Sequence, residues 1–131
     1  MTPEAVREAL ERHLGERDYT RFLRDFVGAA RRKGRLMYWQ EKALLAAGLR
    51  LTFEECVPVF SLCHIHRLRL SRRKIPVRRN VQDIRYSDAF EKAQGQLFPY
   101  ALTELFGAVI TDEVDHCDEC VRQRQLYVAR T

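Results

Sequence analysis

Cys63 and His66 are separated by two residues, and so are Cys117 and Cys120, in a chain with only four cysteines and four histidines. A C-x2-H or C-x2-C turn brings two donors into chelating reach at little conformational cost, and two such turns supply the tetrahedron of a structural zinc site. Three thiolates and one imidazole fill that shell. No position is then left for a water, so the expected role of a single Zn2+ is to staple a small module rather than to activate a nucleophile. A redox dithiol lacks a surrounding βαβ pattern, and an iron–sulfur cluster would want a fourth cysteine close by.

The remaining cysteine and histidines are weighed against the same site. Cys56 and Cys63 would share a helix face about 10 Å apart along the axis at 1.5 Å per residue, too far for one ion. Cys56 therefore reads as a small core residue. His116 abuts Cys117 and competes with His66 for the fourth position. His64, one residue out of the pair, points elsewhere, and His13 belongs at the edge of a core, on an apolar helical stripe. No nucleophile–histidine constellation is identifiable while relative positions across the fold are unknown, and no glycine loop suited to phosphate is present, so an enzyme is a distant third reading.

The elements that must position these donors change character along the chain. Over residues 1–62 apolar residues recur at helical spacing. Val6, Ala9, Leu10 and Leu14 form one stripe. Tyr19, Phe22, Leu23, Phe26, Val27 and Ala30 form a second, capped near Asp18 and ending near Gly34. A third helix is predicted over Trp39–Ala47, stopping at Gly48. Thr52 and Glu55 make a capping box for a fourth, in which Pro58 should kink or shorten the helix. From residue 67 the pattern alternates. Leu68 and Leu70 interleave with arginines and, after a polar break, Ile75 and Val77 resume the alternation, which predicts a β-hairpin with Pro76 on an edge or at a position without a ladder bond. A helix over Tyr86–Leu97, a strand over Leu105–Thr111 and a final helix from Cys117 complete the reading.

A turn holding one ligand pair, a hairpin, then a second pair at the start of a helix is the order of parts in a treble-clef zinc finger, which residues 60–131 resemble. The same half is similar to small, functionally unassigned bacterial zinc-knuckle proteins, through Cys63/His66, Ile75-Pro76-Val77, Tyr86, Phe98-Pro99 and Cys117/Cys120. Where those proteins would carry glycine after the histidine and after the tyrosine, this chain has Arg67 and Ser87. The resulting expectation is an α+β, mostly helical protein. A helical bundle over 1–62 packs on a treble-clef-like zinc module over 63–131, with a β-hairpin and a C-terminal helix, as one continuous globular unit.

Apolar residues make up 46% of the chain and charged residues 31%, which suits one soluble domain of 131 residues rather than a fibrous or disordered chain. The opening M-T-P-E-A-V-R-E-A-L-E-R lacks the apolar core of a secretory signal, and no run is long enough to span a bilayer. A cytoplasmic protein without membrane partners is expected, where thiols stay reduced and serve metals rather than disulfides. The net charge of +5 is unevenly spread: residues 67–85 hold eight basic side chains and one acid, residues 86–120 one basic side chain and eight acids. Two functions follow. One is a binding or adaptor protein acting on another protein. The alternative is a nucleic-acid binder using Arg67, Arg69, Arg72, Arg73, Lys74, Arg78 and Arg79, with Arg31, Arg32, Lys33 and Arg35 as support and Tyr86 as a stacking group. Against it, the basic block can be neutralised by Asp112, Glu113, Asp115, Asp118 and Glu119.

Overall fold

The computed structural model describes residues 1–78, 87–107 and 111–130, so Arg79, Tyr86 and the middle of the strand expected at Leu105–Thr111 lie outside the described residues. The chain divides into two compact units, Met1–His64 and Ile65–Thr131. The described residues are mostly helical, with two small two-stranded sheets. Among the described residues no helix is long and apolar enough to cross a membrane.

In the first unit each helix starts where local chemistry allows. Thr2 accepts the Ala5 amide to open α1, Pro3–Leu14. α2, Glu16–Asp25, begins after Gly15, so Asp18 lies in its first turn rather than at its cap, where the positive end of the helix favours a carboxylate. The same rod continues through a π-helical turn, Phe26–Ala30, into α3, Arg31–Lys33, and stops at Gly34, whose φ of 73° is left-handed. α4 spans Tyr38–Ala46 and α5 spans Phe53–Phe60. Thr52 and Glu55 bond each other's backbone amides at 3.0 and 3.2 Å, the reciprocal cap expected of them. Pro58 stays inside this short helix because it lies on the exposed side, where water can satisfy the carbonyl that its missing N–H leaves free.

The core of this unit is aromatic. Phe22 packs edge-on to Trp39 and Phe60, with ring centroids 5.7 and 5.0 Å apart, and Phe26 joins Phe53 and Phe60. Gln40 is wholly buried among them. Its carbonyl oxygen accepts from the Met37 amide at 3.0 Å and its amide donates to the Phe22 carbonyl at 3.2 Å, so both ends of the side chain are satisfied. His13, expected at a core edge, is exposed on α1.

The second unit departs from the predicted hairpin. β1, Ser71–Lys74, and β2, Val77–Arg78, do not pair with each other. The polar stretch Ser71–Lys74, where the expected hairpin would turn, is itself extended, and Pro76, which holds φ near −65° and keeps the residue before it extended, carries the chain straight on. The chain runs on, and each half finds a distant partner. β1 pairs antiparallel with β4, Glu113–His116, and β2 pairs parallel with β3, Leu105–Phe106. The register sets Arg72 opposite Asp115 and Lys74 opposite Glu113, and Arg72 reaches Asp115 at 3.6 Å and Glu113 at 3.9 Å. A basic strand has thus taken an acidic neighbour, where a hairpin onto Val77–Arg78 would have set cation against cation.

Ser87 caps α6, Asp88–Leu97, through the Phe90 amide at 3.1 Å. α6 packs on α7, Asp118–Arg130, through a triangle of Phe90, Phe98 and Tyr127 with centroids 5.7–5.9 Å apart. Beyond these rings the unit is thin. Among its described residues only Ile75, Phe98 and Ala101 are buried besides two cysteines.

Candidate metal centre

Those two cysteines are placed by the start of α7. The Cys117 amide donates to the Tyr100 carbonyl and its own carbonyl accepts from Val121, both at 3.0 Å, which makes Cys117 the residue that opens the helix and puts Cys120 in its first turn. Both sulfurs lie at the positive end of the helix, which favours thiolates. In the same turn Glu119 is held by Arg122 and Gln123 at 2.9 Å. Those two hydrogen bonds, with the neighbouring charge of Arg122, hold its carboxyl down to about 2.

His66 and Cys63 converge on this turn. His66 Nδ1 lies 3.4 Å from Cys120 Sγ and 3.6 Å from Cys117 Sγ. The ligand atoms of all four residues fall within 4.8 Å of one another, with the three cysteines buried and the histidine half-buried. A tetrahedral zinc with ordinary bond lengths separates sulfur from nitrogen by about 3.6 Å and sulfur from sulfur by about 3.8 Å. Both sulfur–nitrogen distances lie close to that edge. None of the cysteines is in a disulfide. Three buried sulfurs gathered on one imidazole nitrogen carry a desolvation penalty as thiolates that a cation offsets, and the donor set fits one metal ion.

The structure also separates the residues that competed for the site. His116 is not in the cluster: it sits on β4 and its Nε2 meets the Leu102 carbonyl at 2.8 Å. His64, half-buried, is outside the cluster too. Cys56 is wholly buried in α5, and burial pushes its thiol up to about 12, so it remains a protonated core group. Among the described residues the basic side chains do not form one strand face. Arg67 and Arg69 precede β1, Arg72 is engaged by Glu113 and Asp115, and Arg78 pairs with Glu104. Arg73 and Lys74 are exposed on β1. Sequence reading missed β4, since E-V-D-H offers a single apolar residue to an alternation test. Its charge complementarity to S-R-R-K was the usable signal.

Arg67 directly follows His66 and has φ of 60°, alone among the described non-glycine residues in being positive. A Cβ in this left-handed region costs roughly 1–2 kcal/mol, so glycine would fit the backbone here better than arginine. Arg67→Gly is expected to raise stability against denaturant by about 1 kcal/mol with unchanged metal content. A fall in stability would mean that the arginine side chain contributes more than the backbone strain costs.

Comparison of the chain with protein-family models, with curated proteins and with solved structures returns no match.

Proposed function

We propose that this is a zinc-stapled interaction protein: Cys63, His66, Cys117 and Cys120 hold one structural Zn2+ in a treble-clef-like module over residues 63–131, and the protein acts by binding another protein. The observation that carries this reading is the convergence of four donors, three sulfurs and one nitrogen, within 4.8 Å. Soft thiolates with imidazole in a tetrahedral arrangement favour zinc over magnesium, calcium or manganese. A bound zinc supplies a cross-link there, and a full protein shell leaves no place for a reacting water.

What remains for function is surface. In the first unit Tyr38 and Leu45 are 74% and 63% exposed on α4. Beside them Leu36, Leu44, Leu49 and Phe53 line a groove of about 470 Å³ rimmed by Arg35 and Arg50. An apolar surface with a charged rim suits a protein partner. The nucleic-acid reading comes second, because Arg72 and Arg78 already have carboxylate partners.

Protein purified without added metal is expected to contain one zinc per chain by elemental analysis, and to bind mixed-sequence duplex or single strand weakly near physiological salt. A zinc content near zero with undiminished stability after chelation would remove the metal. A tight affinity that falls steeply with salt, at roughly 0.7 to 0.9 in log–log slope per phosphate, and that is lost on replacing Arg72, Arg73 and Lys74, would put nucleic acid first.

A further inference from the structure

We propose that the second unit holds a binding site for a small monocarboxylate on an apolar body, anchored by Arg124. A cavity of about 300 Å³ opens between Gln94 of α6, Arg124 of α7 and the stretch Leu102–Phe106. This volume is at the lower end of the range for small-molecule sites, about 300–1,000 Å³. Arg124 is half-buried, with its guanidinium carbon 5.5 Å from the centroid of the Phe90 ring, and its Nε is covered from solvent without a hydrogen-bond partner. No carboxylate among the described residues pairs with it. The neighbouring cations are engaged: Arg122 by Glu119 and Arg78 by Glu104.

A partly desolvated guanidinium lying over an aromatic ring is held near its position before any ligand arrives. Its terminal nitrogens form a fork that matches a carboxylate through two parallel hydrogen bonds. Gln94 and Thr103 supply further polar groups on the cavity wall, and Leu102, Leu105 and Phe106 supply the apolar wall. Glu104 lines the same cavity. Its charge is already neutralised by Arg78, so Arg124 leaves the site with one net positive charge, which one carboxylate balances and two exceed. That combination selects a small acid with an apolar tail over a phosphate ester or a dicarboxylate.

The test uses the full-length, metal-loaded chain with hexanoate, and with hexanamide as its uncharged match, in titration calorimetry. Hexanoate should bind saturably at one site and hexanamide at least about tenfold more weakly, as expected when a charge-assisted fork is lost. Arg124→Gln should weaken hexanoate by a similar factor with unchanged zinc content and melting temperature, and Arg124→Lys, which keeps the charge without the fork, should fall between. In the wild type, hexanoate should also shift the side-chain nitrogen resonance of Arg124, a readout that needs no variant. Equal affinity for acid and amide, no saturable binding, or an Arg124→Gln protein that binds hexanoate normally would each overturn the proposal. So would an Arg124→Gln protein that loses zinc while keeping hexanoate affinity, since the arginine would then be balancing charge at the metal.

Discussion

Cys120→Ala is expected to release the metal and to leave residues 65–130 without fixed tertiary structure, while the helices of Met1–His64 remain folded. The second unit buries only Ile75, Phe98 and Ala101, apart from cysteines, among its described residues. A core of that size cannot offset chain entropy, which runs to about 1–2 kcal/mol per residue for the backbone alone. Structural zinc contributes apparent folding free energies of about 10–16 kcal/mol in small modules, so loss of one ligand removes most of what holds this unit folded. Cys56→Ala is the control. Its thiol is buried and protonated and lies outside the donor cluster, so the change leaves a small void worth about 1 kcal/mol. Hydrogen exchange resolved by residue checks the regional effect and thermal denaturation the global one. Equal melting shifts for the two variants, or uniform protection in Cys120→Ala, would contradict the ligand assignment.

Phe22→Ala should produce the complementary result. Phe22 is fully buried and its ring meets Phe26, Trp39 and Phe60, while its carbonyl accepts from Gln40. Truncating such a residue costs about 3–5 kcal/mol through lost burial and the cavity left behind. Gln40 adds to the effect if the backbone shifts, because a buried amide that loses its acceptor bears its full desolvation penalty. The first unit should therefore melt early, with zinc content unchanged. A Phe22→Ala protein that loses zinc in proportion to its loss of helix would show that the two units fold as one.

What was legible in the sequence is what short-range chemistry decides. The ends at Gly34 and Gly48 need a left-handed residue, and both glycines have positive φ. The Thr52–Glu55 cap closes within four residues. Helical spacing of Tyr19, Phe22, Leu23 and Phe26 marked the face that the structure buries. The donor pairs belong to the same class, since chelate spacing is set by a single turn of chain.

The tertiary structure alone decided which distant segments meet. The alternation around Ile75-Pro76 carried an extended backbone correctly but not its partner, because strand pairing is chosen by side chains on both strands. Here β4, some forty residues away along the chain, offered the opposite charges that β2 did not. His116 stood next to a donor in sequence, yet β4 turns its ring to the Leu102 carbonyl, while His66 reaches the two sulfurs from the far side of the sequence. Gln40 and Arg124 gave no signal at all, as a polar residue on a helix reads as solvated until the neighbour that covers it is known. Local backbone preferences act over a turn and are written in adjacent residues, whereas burial, charge pairing and ligand choice depend on atoms brought together only when the chain closes on itself.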